Sequence, residues 1–320
     1  MKAIVLTKYG LPDVLQVKDV EKPTPRDNEI LVKVHGASVN YADLAFVKGE
    51  SLVVRLWTGL LEPKRKIPGT DVAGCVEAVG RSVKQFVPGD EVFGYGGGSF
   101  AEYVCVSENA VVPKPANISF EEAASVPQAA LVALQGLRDK GHIQPGQKVL
   151  IYGASGGIGT FAVQIAKSFG ANVTGVCSTR NLDMVRAIGA DRVIDYTQED
   201  FTRNGQHYDL ILATAGYRSV FDYRRALSST GVYVVTGGSM AQIFQGMLLG
   251  PLMSVTGSKK MCNLLERPNQ RDLVFIKELI EVGKVVPVID RRYPLAEAAK
   301  ALRYYDERHA RGKVVITMVP

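Results

Sequence analysis

A glycine-rich turn near the middle of the chain carries the most specific chemical signal. An apolar segment, residues 148–152, is followed directly by Ala154-x-Gly156-x-x-Gly159, a dinucleotide-binding fingerprint with alanine at its first glycine. Glycines in such a turn let the backbone approach a pyrophosphate, and the free N–H groups that open the next helix stabilise the negative charge. The pattern predicts a βαβ unit that binds a dinucleotide, and therefore an oxidoreductase.

The residues at the end of the second strand of this unit indicate which dinucleotide it binds. An NAD-binding unit has an acid there, about 20 residues beyond the glycines, that binds the ribose hydroxyls. This chain has Ser178, Thr179 and Arg180 instead. Because hydroxyl donors and a cation suit a 2′-phosphate, which an acid would repel, we expect NADPH as the cofactor. The alternative is that Arg180 only begins the next helix in solvent.

The same turn also fits a different kind of site. Residues 153–157, Gly-Ala-Ser-Gly-Gly, match the G-x-S-x-G nucleophile elbow of hydrolases, which presents a reactive serine between a strand and a helix. His309 lies downstream, in the order that such a triad requires. A hydrolase would leave the hydroxyls and the cation at 178–180 without a role. We therefore expect Ser155 to donate a hydrogen bond to phosphate.

The composition indicates a globular chain with room for two buried cores. It has 320 residues, of which 46% are hydrophobic, and a net charge of +6 from basic residues that form no run. Such a surface favours an anionic cofactor over nucleic acid. Four scattered cysteines and four dispersed histidines indicate neither disulfides nor a zinc knuckle. The pattern shows no signal peptide and no membrane span, so we expect a cytoplasmic protein.

The order of predicted elements changes along the chain. Short strand patterns, separated by turns rich in glycine and proline, precede residue 119 and predict a β-rich region. Ser119 and Glu122 form a capping-box pattern that predicts a helix continuing to Leu137. Strands and helices then alternate, with strands expected at 172–177 and 208–213 and a last edge strand at 253–256, while a later strand at 313–317 is expected to return to the first domain. Their alternation predicts a doubly wound parallel sheet.

Several segments together make the chain resemble the medium-chain dehydrogenase/reductase superfamily. Besides the glycine turn, they are Val39-Asn-Tyr-Ala-Asp43, Ile67-Pro-Gly-Thr-Asp-Val-Ala-Gly74, Val87-Pro-Gly-Asp-Glu-Val-Phe93, Ile188-Gly-Ala-Asp191 and His309-Ala-Arg-Gly-Lys-Val314. These segments span nearly all of the chain. The branch that it resembles most is that of the zinc-free, zeta-crystallin-like quinone oxidoreductases and enone reductases.

The resemblance implies an α/β fold with two domains and an active site in the cleft between them. A GroES-like, β-rich catalytic domain is expected from residues 1–124 and 268–320. A Rossmann domain with the doubly wound parallel sheet is expected from residues 125–267. A homodimer, formed at the sheet edge near Met253, is also implied.

The chain departs from the zinc-dependent members of that superfamily at the metal positions. Where they have a cysteine ligand, this chain has Asn40 or its neighbours, and where they have Gly-His-Glu it has Gly69-Thr70-Asp71. Their lobe of four closely spaced cysteines is also missing. Because zinc needs donors at short range, we expect no metal. A reductase without a metal is best suited to conjugated acceptors, over which the charge of the incoming hydride spreads.

The predicted activity is therefore an NADPH-dependent, zinc-independent reduction of a quinone or an α,β-unsaturated carbonyl compound. Two alternatives stay open besides the hydrolase. One is a zinc-free alcohol or aldehyde reductase, and the other is a crystallin-like protein that binds NADPH with little turnover.

The resemblance also implies which residues bind the ligands, although it assigns no catalytic residue. Asn40 and Tyr41 are expected beside the substrate, with Trp57 either there or in the packing, while Asp43 holds the local backbone. Many relatives have a lysine where this chain has Asn181. The residues expected at the cofactor are Val132, Ser155, Gly156, Gly157, Ile158, Ser178, Thr179, Arg180, Tyr196, Ala215, Gly216, Gly237 and Gly238.

Overall fold

The chain divides into two units in the computed structural model, which describes residues 1–64, 66–215, 218–236 and 258–318. Unit 1 consists of Met1–Ala129, Pro268–Glu281 and Pro287–Pro320, and unit 2 of Ala130–Arg267 and Val282–Val286. Leu52, Val53 and Trp57 are described by their backbone alone.

The first part of the chain consists mainly of strands. They are β1 (Lys2–Leu6), β2 (Leu15–Asp19), β3 (Glu29–Val39), β4 (Asp71–Val79), β5 (Glu91–Tyr95), β6 (Tyr103–Ser107) and β7 (Val111–Pro113). The helices of this part are α1 (Tyr41–Lys48), α2 (Leu52–Thr58) and α3 (Phe120–Ala124).

Strands and helices alternate in the middle of the chain. In order they are α4 (Pro127–Gln135), β8 (Lys148–Tyr152), α5 (Gly157–Ser168), β9 (Asn172–Cys177), α6 (Leu182–Ala187), β10 (Arg192–Asp195), β11 (Tyr208–Ala213), α7 (Val220–Ala226), β12 (Leu227–Val235) and β13 (Lys260–Asn263). The last elements are α8 (Gln270–Glu281), β14 (Ile289–Pro294), α9 (Ala298–Asp306) and β15 (Lys313–Thr317).

Unit 1 contains a sheet whose described strands follow the order β14-β15-β3-β4-β5-β7, with β6 also paired to β3. β15 runs antiparallel to β3, and Val314 lies opposite Val39. This register brings the start of β15 beside the end of β3. The side chains of Ala37, Phe100, Leu302 and Ile316 are buried together against this part of the sheet.

Unit 2 contains a parallel sheet whose described strands follow the order β10-β9-β8-β11-β12-β13. The strand order reverses between β8 and β11. In open sheets of this kind, ligands bind beyond the carboxyl ends of the strands at this reversal. The predicted α/β fold with a doubly wound parallel sheet is confirmed, and the glycine turn follows β8 at the reversal.

The helix predicted from Ser119 to Leu137 is divided into α3 and α4. Its capping box is confirmed, because Glu122 Oε2 accepts from the Ser119 N–H at 2.8 Å and Ser119 Oγ accepts from the Glu122 N–H at 3.2 Å. The helix stops before Pro127, which has no N–H to donate and disfavours helical geometry at the preceding residue. A new helix then begins at this proline.

Two further predictions concern the sheet edge and the membrane. The edge strand predicted at 253–256, with the dimer contact near Met253, lies outside the described residues. Among the described strands, β13 pairs with β12 on the side opposite β11.

Within the described ranges, no helix combines the length and the apolar character that crossing a bilayer requires.

Candidate functional site

The glycine turn connects β8 to α5 through very close backbone contacts. Gly153 has a φ of +84°, in the left-handed region that favours glycine. At Gly159, an added Cβ would lie 2.0 Å from the Gly153 carbonyl oxygen. The local fold therefore requires glycine at both positions.

Gly156 is different, because the local fold does not require it. Its φ is −83°, and the nearest atom to an added Cβ is the Gly153 carbonyl oxygen, at an ordinary contact distance of 3.5 Å. Gly156 is the N-cap of α5, a helix of 12 residues, and the first N–H groups of the helix follow it. The space that a side chain would fill therefore lies at a helix N-terminus, where a phosphate binds well.

A buried amide brings two predicted cofactor residues together at the ends of β8 and β9. Asn181 Nδ2 donates to Ser155 Oγ and to Ser178 Oγ, each at 3.1 Å. Because both serine oxygens accept from this amide, both hydroxyl hydrogens remain able to donate to a phosphate. An amide is not a base, so this contact does not activate Ser155 as the nucleophile of a hydrolase.

Asn181 is a site residue that the sequence analysis missed. Its side chain is 4% exposed, and its Oδ1 is buried without a hydrogen-bond partner in the described part of the chain. The resemblance indicated only that Asn181 stands where many relatives have a lysine. The signal that could have identified it is its position three residues after Ser178, in the same turn.

Thr179 and Arg180 continue this turn but differ in what they contact. The Thr179 hydroxyl donates to Asp195 Oδ2 at 2.5 Å, and this hydrogen bond lowers the pKa of the Asp195 carboxyl. The predicted phosphate contact of Thr179 thus competes with a short hydrogen bond inside the protein. Arg180 is exposed at the surface. Tyr196 is 48% exposed, and its N–H donates to the Cys177 carbonyl beside Ser178.

The remaining residues predicted to bind the cofactor lie in the turn after β11, in α4 and in the first turn of α5, or outside the described residues. An added Cβ at Gly153 would lie 2.9 Å from Ala215 Cβ, so the turns after β8 and β11 touch. Val132 is buried in α4 at 8% exposure. Gly157 and Ile158 lie in the first turn of α5. Gly216, Gly237 and Gly238 lie outside the described residues.

In unit 1, the Asn40 amide is bound on all sides by the protein. Asn40 Nδ2 donates to Asp71 Oδ2 at 2.8 Å and to Thr70 Oγ1 at 3.2 Å. Asn40 Oδ1 accepts from Lys313 Nζ at 2.5 Å. The side chain is 6% exposed. The amide therefore orients its neighbours, and direct contact of Asn40 with the substrate stays a prediction.

Lys313 and Asp71 form a buried ion pair that the sequence analysis did not find. Their charged atoms are 3.7 Å apart, and the side chains are 3% and 0% exposed. Asp71 also accepts hydrogen bonds from the Ser38 hydroxyl and the Gln128 N–H. Burial raises the pKa of Asp71, and Lys313 and these donors oppose the rise. A lysine at the start of an otherwise apolar strand was the available signal.

A cavity of about 390 Å³ lies beside this ion pair within unit 1. Tyr41 is 48% exposed, and its hydroxyl donates to Glu50 Oε2 at 2.7 Å; burial and Glu50 raise the pKa of Tyr41 to about 12. Trp57 lies in α2, and its side chain lies outside the described residues. The residues that line the cavity include Asp43, Phe46, Thr58, Lys64, Ile67 and Thr70.

Asp43 is a buried carboxyl on the wall of this cavity. It is 2% exposed, and its Oδ2 accepts from the Asn40 N–H at 2.9 Å, as expected for a residue that holds the local backbone. Burial raises the pKa of Asp43 to about 7, and the nearby charge of Asp71 adds to the rise. The Asn40 N–H and the Lys313 ammonium act in the opposite direction.

This raised pKa predicts how Asp43→Asn changes the dependence of stability on pH. The folded protein keeps a proton on Asp43 up to pH values near 7, whereas an unfolded chain loses it near the ordinary aspartate pKa of 3.8. The stability that the raised pKa contributes is therefore present below the unfolded value and lost as pH rises through the folded one. The loss is at most about 4 kcal/mol.

Asparagine does not titrate, so the melting temperature of the variant relative to the unmodified protein should rise between pH 5 and pH 8. Thermal unfolding followed by circular dichroism measures this difference. A difference that stays constant over that range would contradict the raised pKa of Asp43.

No three histidine, cysteine, aspartate or glutamate side chains are grouped to hold a metal ion anywhere in the described ranges. The four cysteines are free.

Two protein families match the chain. The alcohol dehydrogenase GroES-like domain matches residues 26–116, and the zinc-binding dehydrogenase family matches residues 188–316. The presence of a GroES-like domain, which the resemblance implied, is thereby confirmed, while its expected bounds stay a prediction.

Curated relatives and solved structures resemble the whole chain. The mitochondrial NAD(P)H oxidoreductase RTN4IP1 of Mus musculus is 35% identical, over 100% of this chain and 89% of that protein. The 2-methylene-furan-3-one reductase of Solanum lycopersicum is 34% identical, over 100% of this chain and 80% of that protein. The structure of the quinone oxidoreductase from Coxiella burnetii has a TM-score of 0.88 and 31% identity, over 99% of both chains. The chain therefore belongs to the medium-chain dehydrogenase/reductase superfamily, as an oxidoreductase related to the quinone oxidoreductases.

Proposed function

We propose that this protein is an NADPH-dependent, zinc-independent reductase of quinones or α,β-unsaturated carbonyl compounds. The observation that carries the proposal is the Asn181 amide, which holds the Ser155 and Ser178 hydroxyls at adjacent strand ends. In this proposal, the N-terminus of α5, Gly156 and Ser155 bind the pyrophosphate. Residues 125–267 are the nucleotide-binding domain, and residues 1–124 and 268–320 are the catalytic domain.

The preference for NADPH follows from the charges beyond β9. Ser178 can donate its hydroxyl hydrogen, and the exposed Arg180 guanidinium supplies a cation close by in the same turn. Both suit a dianionic 2′-phosphate. Asp195 is the acid of the neighbouring strand end, and its oxygens already accept from Thr179 and Thr197. A bound NADPH supplies the hydride for the reduction.

The zinc independence is supported by what fills the positions of the metal ligands. Asn40 and Thr70, which stand at the ligand positions, are hydrogen-bonded to each other, and Asn40 also accepts from the buried Lys313 ammonium. A cation is therefore already present, and it would repel a divalent metal ion. Without a metal to stabilise an alkoxide, an acceptor that delocalises the added charge is favoured.

The names of the relatives support the same acceptor class. One acts on NAD(P)H, one structure is of a quinone oxidoreductase, and one relative reduces 2-methylene-furan-3-one, an α,β-unsaturated ketone. Quinones and such ketones share a carbonyl conjugated to a carbon–carbon double bond.

A reductase assay tests the proposal. Purified protein is mixed with NADPH or NADH and a panel of quinones and enones, and cofactor oxidation is followed before and after treatment with a chelator. We expect turnover with NADPH that survives chelation, in protein without stoichiometric zinc. One tightly bound zinc ion per chain, with activity lost on its removal, would refute the zinc independence.

A further inference from the structure

A chain of hydrogen bonds connects the buried Lys313 ammonium to the wall of the unit 1 cavity. Lys313 Nζ donates to Asn40 Oδ1 at 2.5 Å, and Asn40 Nδ2 donates to Thr70 Oγ1 at 3.2 Å. Thr70 lines the cavity. Both donations point in the same direction, away from the ammonium. In such a chain each hydrogen bond polarises the next, so the hydroxyl at its end becomes a stronger donor.

The hydroxyl hydrogen of Thr70 has only distant acceptors among the residues that the structure describes. These are Asp43 Oδ2 and Gln128 Oε1, each 3.5 Å from Thr70 Oγ1, at the outer limit for a hydrogen bond. Since Oγ1 already accepts from Asn40, its main remaining capacity is to donate. A ligand oxygen in the cavity could take this hydrogen at a shorter distance.

The ion pair keeps the charge of Lys313 in place. A buried ammonium is stable only when it is paired and hydrogen-bonded. Asp71 supplies the opposite charge 3.7 Å away, while donors from Ser38 and Gln128 occupy its oxygens. The ammonium also donates to the Val39 carbonyl at 3.4 Å and to Asn40 Oδ1 at 2.5 Å, and the shorter of these two hydrogen bonds leads through Asn40 to Thr70.

We propose that the Thr70 hydroxyl donates the hydrogen bond that stabilises negative charge on the carbonyl oxygen of the acceptor, and that Asn40 and Lys313 position and polarise it. This inference rests on the proposed function, in which an enone, NADPH and a proton give the saturated ketone and NADP⁺. The hydride forms a bond to the β-carbon, the π electrons move to the oxygen as an enolate, and water supplies the proton to the α-carbon.

Negative charge builds on the oxygen during hydride transfer and is absent from the bound enone. A donor directed at that oxygen therefore lowers the barrier more than it strengthens substrate binding. In this account Thr70 is a catalytic residue, and Asn40 and Lys313 are positioning residues.

The first experiment replaces Thr70 by valine, which has nearly the same shape without the hydroxyl. The kcat for an enone should fall about a hundredfold with little change in KM, as for loss of one oxyanion donor. Thr70→Ser should recover most of the rate. The matched control is Thr317→Val in β15, because its hydroxyl lies 3.4 Å from the Tyr293 carbonyl and its loss should leave kcat unchanged. An unchanged kcat in Thr70→Val would overturn the inference.

The second experiment needs no cofactor and no turnover. The protein is titrated with 4-nitrophenolate, whose oxygen resembles that of the enolate, and binding is followed by absorbance. We expect Thr70→Val to raise the dissociation constant about tenfold, as expected for losing one hydrogen bond to a charged oxygen. Thr70→Ala is the second variant if Thr70→Val does not fold. Equal affinity in the variant and the unmodified protein, or no binding to either, overturns the inference.

The role of Lys313 is tested with the double variant Lys313→Met/Asp71→Asn, which removes both charges and leaves neither unpaired. Its dissociation constant for 4-nitrophenolate should rise, while its affinity for NADPH should stay unchanged. Unchanged nitrophenolate affinity would overturn the polarising role. If nitrophenolate binding depends on Thr70 but no quinone or enone is reduced, the proposed function fails while the oxyanion site stands.

Discussion

Arg180→Ala is expected to raise the Michaelis constant for NADPH about tenfold to a hundredfold. In the proposed function, the substitution removes a charged hydrogen bond to the 2′-phosphate, which is worth about 1.5–3 kcal/mol at a partly solvated site. NADH has no 2′-phosphate, so its use should hardly change. Initial rates with a fixed acceptor and varied cofactor measure both constants.

A neighbouring arginine provides the control for this prediction. Arg186 lies in α6, is exposed, and is paired with Asp183 at 2.8 Å. Arg186→Ala removes one positive charge from the same unit. It should leave the Michaelis constants for NADPH and NADH unchanged. If Arg180→Ala raises the Michaelis constants for NADPH and NADH equally, or if the unmodified enzyme prefers NADH, the assignment of NADPH as the cofactor fails.

The two glycines at the start of α5 should respond in opposite ways to alanine. Gly159→Ala should lower the free energy of unfolding by about 3 kcal/mol, because its Cβ would lie 2.0 Å from the Gly153 carbonyl oxygen and the backbone must move. Gly156→Ala should leave stability nearly unchanged, since its Cβ has room. It should weaken NADPH binding, because the same Cβ fills the space where the pyrophosphate approaches.

Urea unfolding and fluorescence titration with NADPH distinguish the two roles. The folded fraction of each variant is compared with its affinity for the cofactor. If Gly156→Ala binds NADPH as well as the unmodified protein, the phosphate does not lie beside Gly156. If Gly159→Ala is fully stable, the close contact with Gly153 is wrong.

Much of the fold was predictable because buried parallel strands are apolar segments bounded by turn residues. The bounds of β9, β11 and β15 agree with the sequence pattern. The capping box at Ser119 was predictable because it depends on residues three positions apart. The end of α3 was missed because the apolar spacing continues through Pro127, and the proline overrides it.

The main polar contacts of the candidate site were not predictable from local patterns. Lys313 and Asn40 are 273 positions apart in the sequence. They meet only because β15 pairs with β3 in the register that places Val314 opposite Val39. Asn181 likewise reaches Ser155 only because β8 and β9 are adjacent. Motif spacing identified the residues that are proposed to bind the phosphate, but not the Asn181 amide that holds Ser155 and Ser178.

The most direct test of the account follows the hydride itself. The enzyme is given an enone and NADPH deuterated at C4 of the nicotinamide, in each of the two stereochemical forms, and the product is analysed by NMR and mass spectrometry. The account predicts that one of the two forms delivers deuterium to the β-carbon and leaves the carbonyl group intact. Deuterium on the carbinol carbon of an alcohol, or no transfer to any quinone or enone, would contradict it.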